Sequence, residues 1–168
     1  MDEKSPLRGK LVLVVDDEPD VLETVADELD MCIVHKAKDY GTARQYLMSY
    51  TYDVVILDIM GVNGFELLKI AVARGFPSVM LTAHALTPDA LKKSIKLGAL
   101  SFLPKEKMEN LKEILEDVVL GLGKPLWTKF FDKLETYFNK RFGPDWKERD
   151  KFFKEFEESL RHSEQGNA

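Results

Sequence analysis

The feature that most limits the possible folds is an alternation of short apolar runs with helical segments over the first 120 residues. The runs are rich in β-branched and aliphatic residues and occupy positions 11–15, 33–34, 54–57, 78–81 and 100–103. After the first run, Val21, Leu22, Val25 and Leu29 recur at helical spacing, and similar patterns follow the other runs. Strands that are apolar on both faces and alternate with amphipathic helices predict a parallel sheet covered on both sides.

Several residues mark where the predicted helices begin and end. Asp39 is a candidate cap for the second helix, because a side-chain oxygen at that position can accept a bond from the first turn. Pro88 opens the fourth helix and Gly98 ends it. These signals agree with the apolar pattern and set the lengths of the helices.

Polar side chains stand where the predicted strands end. Asp16 and Asp17 follow the first strand, Asp58 the third, Thr82 the fourth and Lys105 the fifth. Ligands bind outside the carboxyl ends of the strands in such sheets. The three carboxylates would repel one another, and a hard divalent cation such as Mg²⁺ would relieve the repulsion. A lysine and a hydroxyl beside them suit the formation of an acyl phosphate on an aspartate.

Each of these residues also has a structural interpretation when it is taken alone. An aspartate after a strand commonly forms a turn or caps a helix, as Asp16 and Asp17 would for the first helix. A lone lysine such as Lys105 is ordinarily part of a solvated surface. The combination, in the order of the strands, favours a common site.

With their intervals, these residues resemble the receiver domain of two-component response regulators. The resemblance runs from about Lys10 to Gly121 and is carried by VVDDEPD at 14–20, VVILDI at 54–59, MLTAHA at 80–85 and GALSFLPK at 98–105. It implies an α/β fold with a doubly wound, five-stranded parallel sheet of order 2-1-3-4-5, as in CheY-like proteins. Here that fold would carry a C-terminal helical extension.

The resemblance also implies a role for each site residue. Asp58 would be the phosphoacceptor, and Asp16 and Asp17 would form an acidic pocket for Mg²⁺ or Mn²⁺. The backbone carbonyl of Met60 would complete the metal ligands from the protein. The phosphoryl-contacting residues would be Thr82 and Lys105.

Three further positions would regulate the lifetime or the effect of the phosphoryl group. Phe102 stands at the place of the family's switch aromatic, which moves inward with Thr82, although it is equally consistent with a core residue. Met60 and His84 occupy positions that tune hydrolysis of the acyl phosphate. An apolar Met60 would hinder an attacking water and lengthen the lifetime, and His84 would donate a hydrogen bond or lie exposed in a loop.

The sequence departs from the family pattern in two loops. The segment from Asp58 to Gly64 is about two residues shorter than usual, and Gly61 replaces the usual proline, so Gly61 and Gly64 are expected to adopt unusual φ and ψ angles. Glu106 follows Lys105, where the family has a proline with a cis peptide bond. A cis bond before glutamate would cost about 2.5–4 kcal/mol, so either the site holds that bond or the loop differs.

The C-terminal part follows a different pattern. Residues 1–122 are expected to form the receiver domain and residues 123–168 a helical extension, after a glycine- and proline-containing break at 121–125. An aromatic stripe predicts one helix, with Phe130, Phe131, Leu134, Tyr137, Phe138 and Phe142. A second helix, capped by Asp145 with Glu148, would carry Trp146, Phe153, Phe156 and Leu160.

The extension is too short for a secure core of its own. Its aromatic faces must be buried against the receiver, a second copy of the chain in a homodimer, or a partner protein. It is either a packing appendage or a dimerising or docking element. It is not a recognisable output domain.

The composition of the chain limits the kinds of partner that it can bind. The chain carries a net charge of −5, and the extension is nearly balanced, which disfavours nucleic acid and anionic membrane surfaces. No apolar run approaches the roughly 20 residues that span a bilayer, and the charged N-terminus does not resemble a signal peptide. A single cysteine, Cys32, gives no intrachain disulfide. We expect a cytoplasmic protein that binds neither nucleic acid nor membrane.

These features predict a phosphorylation-switched response regulator. It would receive a phosphoryl group on Asp58 from a sensor histidine kinase or a phosphotransfer protein and signal to a downstream protein target through its fourth helix and fifth strand. It would not be an enzyme beyond slow self-dephosphorylation. The alternative is a receiver-fold binding or scaffold module that acts through the C-terminal helices without phosphorylation. A phosphohydrolase is disfavoured, because such enzymes typically carry a second aspartate where Met60 stands.

Overall fold

A computed structural model describes residues 4–83, 87–121 and 127–166, apart from the side chains of residues 133 and 162–166. The first part of the chain alternates strands and helices. Its elements are β1 (Leu11–Val15), α1 (Pro19–Glu28), β2 (Ile33–Ala37), α2 (Tyr40–Ser49), β3 (Val54–Asp58), α3 (Gly64–Ala73), β4 (Ser78–Thr82), α4 (Pro88–Leu97), β5 (Ser101–Pro104), a 3₁₀ segment (Lys105–Asn110) and α5 (Leu111–Leu120). Two longer helices follow, α6 (Trp127–Phe142) and α7 (Lys151–Gly166).

The five strands form one parallel sheet of order β2-β1-β3-β4-β5, as predicted. All residues of β3 and β4 are buried, which agrees with their continuous apolar sequence. The edge strand β2 is partly exposed, and Ile33 keeps 57% of its surface accessible. The opposite edge strand, β5, is buried throughout, because the C-terminal helices cover it.

The predicted helix ends are confirmed at three positions. The Asp39 carboxylate accepts a hydrogen bond of 2.8 Å from the backbone N–H of Thr42 at the start of α2. Pro88 is the first residue of α4, where Thr87 is the cap. Gly98 ends α4 with a φ of 101°, a conformation that favours glycine.

The shortened loop after β3 was only partly predicted. Gly61 has a φ of 84°, as expected, but the second left-handed residue is Asn63, with a φ of 55°, and not Gly64. Gly64 is needed for space, since a Cβ there would lie 1.9 Å from the carbonyl oxygen of Asp58. The chain folds back so tightly that α3 begins against the backbone of β3.

The loop after β5 also differs from the family pattern. The described residues contain no cis peptide bond, so Lys105 and Glu106 are joined in trans. The 3₁₀ segment Lys105–Asn110 begins at once and leads into α5. The sequence left open whether the cis bond is kept before Glu106 or the loop differs, and it is the loop that differs.

The extension forms two helices, and the start of the second was predicted wrongly. Trp146 lies in the turns before α7, and Asp145 does not cap that helix. The residue that satisfies the first turn is Asp150, whose Oδ1 accepts a hydrogen bond of 2.8 Å from the N–H of Phe152. The sequence pattern failed here because a capping box and a turn use the same residue types.

The aromatic faces of α6 and α7 are buried against the receiver and against each other. Phe130, Phe138 and Phe153 are at most 4% exposed, and the ring of Phe138 lies 6.3 Å from that of Phe102 in β5. The predicted break at 121–125 and the boundary after residue 122 fall largely on residues outside those described. Within the described ranges, none of the helices is long and apolar enough to cross a membrane.

Candidate functional site

The carboxyl ends of the central strands bring two buried carboxylates to one edge of the sheet. Asp58 is the last residue of β3 and is 4% exposed, and Asp16 follows β1 and is fully buried. The two strands are neighbours, with Val15 paired to Leu57. Asp16 is held in place by a bond of 2.9 Å from the N–H of Glu18 to its Oδ1.

Lys105 lies between the acidic residues. Its Nζ is 2.7 Å from Oδ2 of Asp16, 3.4 Å from Oδ1 of Asp58 and 3.8 Å from Oε1 of Glu18. Its side chain is 10% exposed, so these contacts are little screened by solvent. The lysine is therefore held by Asp16 more closely than by Asp58.

The electrostatics follow from this crowding. Burial, with the neighbouring charge of Asp16, raises the pKa of Asp58 to about 7, although Lys105 opposes the change. Burial also raises the pKa of Asp16. Burial would lower the pKa of Lys105, but its bond to Asp16 and the charge of Asp58 hold that pKa above its ordinary value. The single positive charge of Lys105 therefore neutralises only part of the negative charge of the neighbouring carboxylates.

The acidic pocket includes one residue that the sequence reasoning missed. Carboxylate oxygens of Asp16, Asp17 and Glu18 lie within 4.8 Å of one another. Asp16 Oδ2 is buried and faces the Lys105 ammonium at 2.7 Å. An all-oxygen donor set with such an oxygen fits a hard divalent cation. The sequence feature that could have identified Glu18 is its position directly after the two aspartates.

The remaining predicted residues are placed as follows. Thr82 ends β4, is 1% exposed and pairs with Pro104 in β5. Phe102 is fully buried and contacts α6. The side chain of Met60 is 55% exposed in the turn after β3. His84 lies outside the described residues.

The sequence profile of the response regulator receiver domain matches residues 12–116. Among curated proteins, the chain is 33% identical to the two-component response regulator ARR18 of Arabidopsis thaliana over 118 residues, which is 66% of this chain and 18% of the relative. It is 31% identical over 130 residues to a protein-glutamate methylesterase/protein-glutamine glutaminase of Pyrococcus horikoshii, covering 68% of this chain and 34% of the relative. The chain thus spans about a third or less of these relatives.

Solved structures agree with the fold. A CheY-like receiver domain protein from Methanospirillum hungatei covers 68% of this chain and 96% of its own, with a TM-score of 0.62 at 22% identity. Chemotaxis response regulator CheY4 of Vibrio cholerae covers 66% of this chain and 98% of its own, with a TM-score of 0.59 at 27% identity. The family match, the strand order and the acidic edge of the sheet lead to one conclusion: the chain belongs to the response regulator receiver domain family.

Proposed function

We propose that this receiver is a phosphorylation-switched signalling protein that accepts a phosphoryl group on Asp58. The observation that carries the proposal is the position of Lys105, whose ammonium stands between the buried carboxylates of Asp16 and Asp58. The donor would be a sensor histidine kinase or a phosphotransfer protein, and the output a downstream protein target. As in two-component signalling generally, we place the protein in the cytoplasm.

The chemistry follows from the side chains. A carboxylate oxygen of Asp58 attacks the phosphorus of the donor, the new O–P bond forms, and the donor's N–P bond breaks with its electrons returning to the imidazole. Lys105 moves from Asp16 toward a phosphoryl oxygen, and the Thr82 hydroxyl donates to another. The product is an acyl phosphate, which makes the protein a substrate of its kinase and not an enzyme.

A divalent cation would be held at the same edge. Asp16, Asp17 and Asp58, with the backbone carbonyl of Met60, are the proposed ligands, and Glu18 lies close enough to contribute through a bound water. Mg²⁺ or Mn²⁺ would neutralise charge on the phosphoryl oxygens.

A scaffold that is never phosphorylated is the competing function. It is favoured by Glu106 in place of the family's proline and by the shortened loop after Asp58. It would keep the acidic pocket as a structural feature, and its output would come only from α6 and α7. Methylesterase activity is not part of either proposal.

Intact mass spectrometry separates the two functions. We would incubate the full chain with Mg²⁺ and acetyl phosphate, beside Asp58→Asn and, as a control with an exposed carboxylate, Asp89→Asn. The switch predicts the mass of one phosphoryl group on the wild type and on Asp89→Asn, and none on Asp58→Asn. A wild-type chain that gains no mass and binds no beryllofluoride would favour the scaffold.

A further inference from the structure

The C-terminal helical unit, residues 127–166, covers one face of the receiver. It meets α4, β5, the 3₁₀ segment and α5. Lys92 of α4 pairs with Asp150 at 2.6 Å, and the Lys92 and Lys96 ammonium groups lie 5.7 and 5.1 Å from the centre of the Phe152 ring. Asp117 of α5 faces Lys129 of α6 at 3.4 Å.

The centre of this contact is apolar and involves the edge strand. Phe102 of β5 is fully buried, with its ring 6.3 Å from both Phe130 and Phe138 of α6. Aromatic contacts of this kind contribute most of the free energy of a small interface. Phe102 therefore joins the sheet edge to α6.

The same chain segment leads from this contact into the phosphorylation site. Lys105, three residues after Phe102, is bound to Asp16 and Asp58. The next two residues contact α6, with Glu106 at 4.0 Å from Arg141 and the Lys107 ammonium 5.4 Å from the centre of the Tyr137 ring. Consecutive residues thus serve the site and the extension.

We propose that the C-terminal helical unit is the output element of this receiver and that it is docked on α4, β5 and α5 in the unphosphorylated protein and loosened when Asp58 is phosphorylated. The proposal rests on the proposed function, since it takes the phosphoryl group as its signal. It gives the unit a role beyond packing, and it gives Glu106 a role that the family's proline does not have.

Phosphorylation would loosen the helical unit because the docked contacts form while Asp58 is unmodified. The phosphoryl group carries about two negative charges and replaces the single carboxylate charge of Asp58 beside Lys105. The lysine moves away from Asp16 toward them, and the trans-linked segment 105–107 moves with it. The contacts of Glu106 and Lys107 with α6 were formed with Lys105 on Asp16, so they weaken. A ligand shifts such an equilibrium only through a difference of this kind between the two states.

The two tryptophans of the chain make the test specific. Trp127 and Trp146 are both in the unit and are 3% and 2% exposed. With Mg²⁺ and beryllofluoride, we expect a red shift of their emission and at least a threefold faster amide exchange in α6 and α7, with exchange in β1 and β3 unchanged and no response in Asp58→Asn. Unchanged emission and exchange, or slower exchange, in a protein that binds beryllofluoride would overturn the inference and leave the proposed function standing.

If docking of the helical unit is coupled to occupancy of the phosphorylation site, a matched pair of variants can test the coupling. Lys92→Ala removes the pair with Asp150, whereas Lys93→Ala changes the next residue of α4, which lies over Phe65 and away from the unit. Because coupling is reciprocal, Lys92→Ala should bind beryllofluoride with Mg²⁺ roughly two- to fivefold more tightly than the wild type, and Lys93→Ala should not. Equal affinities in the two variants would contradict the coupling.

A third variant tests the connection even if the chain takes no phosphoryl group. Lys105→Met releases Asp16 and should speed exchange in α6 at least threefold relative to β1 and β3. Exchange in α6 that stays at the wild-type rate would show that the segment 105–107 does not connect the site to the unit, whatever the outcome of the phosphorylation test.

Discussion

Gly61 lies directly against the carboxylate of Asp17: a Cβ on this glycine would stand 2.6 Å from Oδ2 of Asp17. Gly61 also has a φ of 84°. The shortened loop can therefore approach the acidic pocket only because this position has no side chain. Gly61, which replaces the family's usual proline, thus allows the loop to pack against the acidic pocket.

We predict that Gly61→Ala weakens Mg²⁺ binding roughly three- to tenfold, because the new methyl group displaces the Asp17 carboxylate. Calorimetric titration with Mg²⁺ measures this directly. Gly75→Ala is the matched control, since Gly75 has a similar φ of 79° but no atom within 4 Å of its Cβ position. Both variants should lose about 1 kcal/mol of stability from the left-handed conformation. Equal Mg²⁺ affinities would contradict the role of Gly61.

The strands and the polar residues that end them could be predicted from the sequence, because apolar runs and the charges that follow them are local features, and the strand order followed from the resemblance to receiver domains. The alternation around Val54 to Leu57 predicted the central strand, and Asp58 followed from its end. The arrangement around Lys105 was not accessible. Whether this lysine binds Asp16 or Asp58 depends on a balance of burial and distance that no local pattern contains.

The predictions about the C-terminal helices failed or stayed open because they depended on tertiary contacts. The start of α7 was misplaced because Asp145 and Asp150 both precede plausible first turns, and the helix begins after Asp150, whose carboxylate accepts the bond from Phe152 N–H. The surface against which the aromatic stripe packs was left open among three candidates. Only the fold brings Phe102 to Phe138, since they are far apart in the chain.

Glu18 offers a test of how many carboxylates serve the cation. We predict that Glu18→Gln weakens Mg²⁺ binding about twofold, a small effect because the side chain is exposed and would act through water. Glu23→Gln, an exposed change in α1 outside the pocket, should have no effect. Titration at low and at moderate salt checks the origin, because an electrostatic effect shrinks as salt rises. A loss of more than tenfold would make Glu18 a direct ligand.

Met60 provides a prediction about the lifetime of the acyl phosphate. Its exposed, apolar side chain stands two residues after Asp58, where a polar group can orient an attacking water. We predict that Met60→Gln, which is similar in size, speeds loss of the phosphoryl group roughly threefold. Met48→Gln is the control, since Met48 is also exposed, at 52%, but lies in α2. The decay of phosphoprotein mass after removal of the donor gives the rates, and equal rates would refute the role of Met60.

The raised pKa of Asp58 makes stability without metal depend on pH. Its pKa is about 7 in the folded chain and near 3.8 in the unfolded chain, so the folded state binds more protons between these values. Stability from this group is therefore fully present below about pH 4 and is lost as pH rises through 7. Asp58→Asn removes the ionisation, and we expect it to be more stable than the wild type by about 1–3 kcal/mol at pH 8, with the difference shrinking toward pH 5. Urea unfolding of both proteins in chelator at the two pH values measures the difference. Saturating Mg²⁺ should reduce it by stabilising only the wild type, and a variant less stable than the wild type at pH 8 without metal would contradict the burial of an uncompensated charge at Asp58.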